Sequence, residues 1–267
     1  MRRILGVLAL ATGILLTNCE QQPLLSRSVA PKGAWVSLFN GRNLEGWVPK
    51  FKGHPLGENV NNTFGVESGR LTVSYDNYER WDDLFGHLFY GVRQFEHYWI
   101  RVEYRFVGTQ VPGAPDWAWR NNGVMLHAQP PDTMTLDQPF PISFELRLMG
   151  GSWLHRRPPT GSLCFVDTTA IHKGERMSAR VVDSDARSYP GDQWVLAEAE
   201  VQGGEVVRYF VNGRQVMEYS DLQLARSEPW SPTIARTHGF IAIQAESHPT
   251  EFRRIEVLDL GTHDLGS

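Results

Sequence analysis

ISFELRLM, residues 142–149, alternates apolar and polar side chains along its whole length. Ile142, Phe144, Leu146 and Leu148 fall on one face. Ser143, Glu145, Arg147 and Met149 fall on the other, the period-two pattern of a strand buried on one side only. Two further stretches share the design, NNGVMLHAQ (121–129) and GFIAIQAESHPTEFR (239–253). Placed in one sheet, their polar faces would gather His127, Glu145, Arg147, Gln244, Glu246 and His248 into a single patch, the candidate site.

Outward from these strands the same signals recur. FGVESGRLTVSY (64–75) reads as a hairpin turning at Ser68-Gly69, and YWIRVEYRF (98–106) sets Ile100, Val102, Tyr104 and Phe106 against Trp99, Arg101, Glu103 and Arg105. The stretch from Asp192 to Tyr219 holds three strand patterns joined at Gly203-Gly204 and Asn212-Gly213, the latter a strong hairpin signal. FRRIEVLDL (252–260) breaks strict alternation near Phe252, which suggests a bulge. Residues 128–141 carry four prolines, so a regular element is not expected there, and a loop joining two candidate site strands is expected to cover the site in part. Residues 172–188 read as polar and irregular. With no long amphipathic helix and no short-period repeat, the expected fold is all-β, a two-sheet antiparallel sandwich or jelly roll.

Composition narrows the function. A chain of 267 residues with 41% hydrophobic and 21% charged side chains is ordinary for a globular protein, and one domain over 33–261 accounts for it. A net charge of −4 without a basic block argues against nucleic acid as a partner. Arg2 and Arg3, an apolar run from Ile4 to Leu16 and then Cys19 have the layout of an export signal over 1–19, too short to span a bilayer comfortably. The layout resembles a bacterial lipoprotein signal, with Cys19 as the lipidated mature N-terminus, residues 20–32 as a tether and contact with the membrane through that anchor alone. Because Glu20 rather than aspartate follows, the expected location is the outer membrane facing the periplasm; a periplasmic or secreted form is the alternative. Cys19 and Cys164 are the only cysteines, and Cys164, within LCFV, reads as a small buried hydrophobe.

In order along the chain, LFNGRNLEGW, NNGVMLH, ISFELRLM, TGSLC, VNGRQV and GFIAIQAESHPTEFRRIEVLDL resemble the motifs of the 3-keto-disaccharide hydrolase domain family, over about residues 33–260. The resemblance implies a concanavalin A-like jelly roll acting on a glycoside or oligosaccharide whose C3 hydroxyl has become a ketone. The ketone acidifies the C2 proton, so a base can remove it, the C1 substituent departs, and water adds back for net hydrolysis. Glu145 falls on the family's sheet glutamate and is the first candidate for base. Arg147, where a glutamine is more usual, could polarise the ketone oxygen. Glu246 stands where many members carry a histidine, with His248 two residues on. His127, Glu246 and His248 therefore share the remaining acid and base roles without assignment. Gln244, Asn122, Trp47 and Trp119 are candidate sugar contacts, with Trp117 a further aromatic platform. No cofactor is required by the motifs; a divalent metal ion is compatible with them, with Glu145, His127, Glu246 and His248 as candidate ligands. The rival reading is a non-catalytic carbohydrate-binding module on the cell envelope. Nothing in the sequence selects an oligomeric state.

Overall fold

The computed structural model describes residues 30–152, 158–226, 228 and 231–261. The expected signal segment with Cys19, and residues 20–29 of the expected tether, lie outside the described residues.

Two antiparallel sheets face each other. The seven-stranded sheet has the order β12 (Val181–Val182), β9 (Leu163–Val166), β8 (Ser143–Met149), β7 (Asn121–Ala128), β16 (Phe240–Ala245), β5 (Gly86–Tyr90) and β2 (Trp47–Phe51). The ten-stranded sheet runs β11 (Glu175–Arg176), β10 (Thr168–His172), β15 (Arg214–Leu224), β14 (Val206–Val211), β13 (Val195–Gln202), β6 (His97–Phe106), β17 (Thr250–Asp259), β4 (Arg70–Val73) and β3 (Phe64–Glu67), with β1 (Val36–Ser37) alongside β17. This is the all-β sandwich expected, and the described helical residues amount to three single turns. One of those turns, Pro131–Thr133, falls inside the proline-rich loop where no regular element was expected.

The inner faces make the core. Val124 and Leu126 of β7, Phe144, Leu146 and Leu148 of β8, and Ile241 and Ile243 of β16 pack against Ile100, Val102 and Tyr104 of β6 and their neighbours. Buried apolar side chains of this size stabilise a fold by about 1.5–3 kcal/mol each. The hairpins turn where read. Asn212 and Gly213 both take positive φ (48° and 77°), the two-residue turn whose twist matches its strands. The bulge expected near Phe252 is present, since the register of β17 on β6 shifts between Phe252 and Arg254.

Two expectations need correction. Residues 172–188 are not wholly irregular: β10 reaches His172, and β11 and β12 follow as short edge strands. ISFELRLM is not buried on one side only, because Ser143 and Glu145 on its polar face are as buried as Phe144 and Leu146 on the other. Loops cross the outer face of the seven-stranded sheet and take that polar face out of water.

Candidate functional site

Register places the site. Lys50, His87 and Gln244 are direct cross-strand partners on β2, β5 and β16. Gly123 of β7 continues the row, one step from the Ile243–Val124 pair, and is itself paired with Arg147 of β8. Glu145 sits two residues before Arg147 on the same face, opposite Cys164 of β9. Gly123 is what lets Glu145 lie flat. A Cβ at that position would come within 2.5 Å of Glu145 Oε1 and 2.7 Å of its Cγ, so the carboxylate occupies the space a side chain would fill.

A cavity of about 280 Å³ opens above this row, lined by Asn121, Glu145, Arg147, Cys164, Arg180, Val181 and Glu246, with Phe85, Trp117 and Phe140 as aromatic walls. Arg147 Nε stands 4.0 Å from Glu145 Oε1, and its Nη2 donates to Asn121 Oδ1 at 3.2 Å. Asn121 Nδ2 in turn donates to Glu246 Oε2. Glu145 Oε1 itself is buried and accepts no hydrogen bond. A buried polar atom left without a partner costs about 1–3 kcal/mol, more when charged, so Glu145 Oε1 as placed does not favour the fold. A larger cleft of about 340 Å³ lies by β3 and β4, where the most buried of its three carboxylates, Glu251, is engaged by Arg105 at 2.7 Å, whereas Glu145 Oε1 in the smaller cavity is free of hydrogen bonds.

The electrostatics separate the two carboxyls. Burial raises Glu145 above the ordinary carboxylate range, and Arg147 restrains the rise. Glu246 is pushed well above that range, first by burial and then by the neighbouring Glu145 charge. Both carboxyls are therefore pushed toward the protonated form, Glu246 the more strongly. Cys164 beside them is raised to about 12, chiefly by burial and then by Glu145, which keeps it a thiol and matches its reading as a buried hydrophobe.

Among the residues singled out in the sequence, Glu145, Arg147 and Glu246 converge, and Gln244 shares their face with both amide atoms buried and unpaired. His127 does not join them. Met125 pairs with Ala242 and Ala128 with Phe240, so Leu126 and His127 together oppose one residue of β16, a bulge in which His127 takes a φ of 49°. The bulge turns the ring between the sheets, where Nε2 meets the Gly203 carbonyl at 2.9 Å and Tyr98 packs edge-on. It fits there because Gly239 has no Cβ, which would lie 2.4 Å from the His127 carbonyl carbon. Asn122 points inward as well, donating to the Gln244 carbonyl at 2.8 Å; its neighbour Asn121 is the one that reaches the cavity. Trp47 is a core residue whose Nε1 donates to the Leu38 carbonyl. His248 and half-buried Trp119 pack edge-on at 5.9 Å beside Phe106 and do not line the cavity.

This arrangement does not fit the candidate metal set. His127 lies on the opposite side of the sheet from Glu145 and Glu246, and among the described residues no three His, Cys, Asp or Glu groups are placed to hold an ion. The residues missed in the sequence are Asn121, Arg180, His87, Phe85 and Phe140. Counting back in twos from His127 reaches Asn121, and FGHLFY (85–90) sets His87 opposite core-facing Leu88; Arg180 carried no local signal. The proline-rich loop does contribute cover, through Phe140.

A buried acid pair flanked by two guanidinium groups, on the outer face of a β-sandwich, offers the groups that proton transfer next to a developing negative charge requires. The sequence matches the profile of the 3-keto-alpha-glucoside-1,2-lyase-like domain over residues 34–258, and the chain belongs to that family, a carbohydrate-related one. No curated protein matches it. Similar solved structures include a Bacillus subtilis protein of unknown function with a galectin-like fold (10% identity, covering 80% of this chain and 89% of that one, TM-score 0.47). A Bacillus licheniformis beta-glucanase is similar at 11% identity, covering 86% of this chain and 100% of that one, with a TM-score of 0.47. The carbohydrate-binding module CBM66 of Bacillus subtilis is similar at 9% identity, covering 79% and 93%, with a TM-score of 0.40.

Proposed function

We propose that the chain cleaves glycosides whose C3 carbon is a ketone, by elimination followed by hydration. The observation that carries this reading is the buried Glu145 carboxylate, whose Oε1 accepts no hydrogen bond, lying beside Arg147 in a cavity shared with a more strongly protonated Glu246. Glu145 takes the C2 proton, and the electrons of that bond move toward the C3 ketone as an enolate. Arg147 and Arg180, the cavity's two cations, stabilise the enolate oxygen. The enolate then re-forms the ketone as the C1–O bond breaks, leaving a C1–C2 double bond, and Glu246 gives its proton to the departing oxygen. Addition of water across that double bond completes a net hydrolysis. Neither carboxylate acts as a nucleophile, so the spacing rules of direct glycoside hydrolysis do not apply.

The test is aglycone release from an aryl glucoside and its 3-keto derivative side by side. Release from the keto sugar alone is expected; release from neither, with calorimetric sugar binding intact, overturns catalysis in favour of a binding module. Trp117, 52% exposed at the cavity wall and stacked on Phe85, supplies an aromatic platform that such a module would also use. Export and lipid attachment at Cys19 belong to the same proposal. Incorporation of a labelled fatty acid into the full chain, lost in Cys19→Ala, is the expected result.

A further inference from the structure

His87 and Gln244 are cross-strand partners, fully buried, and none of their side-chain nitrogen and oxygen atoms has a hydrogen-bond partner. They stand in the row that leads to Arg147, yet neither lines the open cavity. What lies over His87 is the Phe140 ring, edge-on at 5.8 Å, which also packs against Phe85 at 4.7 Å and lies under the Arg180 guanidinium at 5.6 Å. Phe140 and Phe85 are both walls of the cavity. The covered pair is thus separated from the site by aromatic side chains.

We propose that His87 and Gln244 form a second sugar subsite beneath Phe140, which turns aside to admit the ring beyond the cleaved bond. This rests on the reading of the cavity as a keto-glycoside site. The chemistry of the pair selects the ligand. A carboxamide and a neutral imidazole each offer one donor group and one acceptor and no charge, which suits hydroxyl groups rather than an anion or cation. Burial and the nearby Lys50 charge keep the imidazole neutral. Lys50 does not compete for the ligand, because its ammonium already donates to the carbonyls of Phe51, His54 and Leu136. The side chain of Phe140 is the movable part. Its own carbonyl is held by Gln138 Nε2 at 2.7 Å, and Gln138 is tied to Gln129, so the backbone stays while the ring rotates. From His87 to Arg147 the row crosses three strand spacings, roughly 14 Å, more than one sugar ring needs.

The experiment compares the full chain with His87→Leu and Phe140→Ala on a 3-keto-disaccharide and a 3-keto aryl glucoside. His87→Leu is expected to lower the ratio of kcat/KM for disaccharide over aryl glucoside about tenfold, while raising Tm, since it removes a buried unpaired ring. Phe140→Ala is expected to raise that ratio by uncovering the pair. Ratios within twofold of wild type in both variants overturn the subsite. Calorimetry with the unoxidised disaccharide and monosaccharide runs in parallel and needs no turnover. Tighter binding of the disaccharide that His87→Leu abolishes supports the subsite even if neither keto sugar is cleaved, in which case the catalytic reading alone has failed. Equal affinity for the two sugars in the wild type overturns the subsite whatever the activity.

Discussion

The outer faces of the two sheets carry the same kind of sequence and reach opposite ends. On the ten-stranded sheet outward charges of β6, β14, β15 and β17 are paired across strands: Arg101 with Glu256 at 2.5 Å, Glu103 with Arg253 at 2.5 Å, and Arg208 with Glu218 at 2.7 Å. They remain partly exposed, and Glu103 sits below its usual carboxylate range, chiefly because Arg253 donates to it. On the seven-stranded sheet the outward groups are fewer and covered. There Glu145 Oε1 and the side-chain nitrogen and oxygen atoms of His87 and Gln244 make no hydrogen bond, and the carboxyls are pushed up rather than down. An ion-paired face holds a sheet in water at little cost; covered polar atoms without partners are unfavourable for the fold, and the proposed function gives them a ligand to meet.

The contrast can be broken most sharply at Glu145. Glu145→Gln is expected to lower kcat on a 3-keto-glucoside by roughly 10²–10⁴-fold while calorimetric sugar affinity stays within about threefold. Turnover near the wild-type rate would remove Glu145 from the base role. Next in size is Gly123→Ala. The added methyl must displace the carboxylate, and a shift of about 1 Å costs on the order of 10²-fold in rate, here with a normal circular dichroism spectrum. An unchanged rate would show that Glu145 has room to move.

Titration sharpens the comparison further. His87 and His248 are both held down to about 3 by burial, so the folded state resists protons that the unfolded chain accepts below 6.5. Stability present above pH 6.5 is therefore lost as pH falls toward about 3, and His87→Leu should flatten that acid limb in thermal melts. The raised pair works the other way. Glu145 and Glu246 contribute stability below 4.5 that disappears as pH rises through their folded values, and Glu246→Gln should flatten that decline. The smallest effect belongs to the other face. Arg101→Ala, breaking a partly exposed pair, should change stability by about 1 kcal/mol or less and leave turnover untouched. A loss comparable to Gly123→Ala would mean the two faces are not separate.

Much of the site was legible because strand parity is a local property. Glu145 and Arg147 on one face, and Gln244 with Glu246 on another strand, follow from counting in twos, and core burial of Ile241 and Ile243 bears the count out. The same count failed at His127, where an extra residue in β7 reverses the parity, and the sequence around it gives no cue beyond a distant glycine, Gly239. Asn122 shares the parity of core-facing Val124 and Leu126 and points inward, so the count in twos favours Asn121 as the cavity residue. Trp47, read as a candidate sugar contact, is instead a core residue.

What the sequence by itself determined is the longer strands, their hairpin turns and, away from the β7 bulge, which of their residues share a face, because alternation and turn chemistry act over a few residues. Only the tertiary structure decided which polar face would meet water. Arg180 comes from the edge strand's approach, Phe85 from the segment before β5 and Phe140 from the proline-rich loop, and they meet over Glu145 solely because seven strands distant in sequence are ordered as they are. Burial, and with it the raised carboxyls and the neutral His87, is a property of that enclosure and of no single segment.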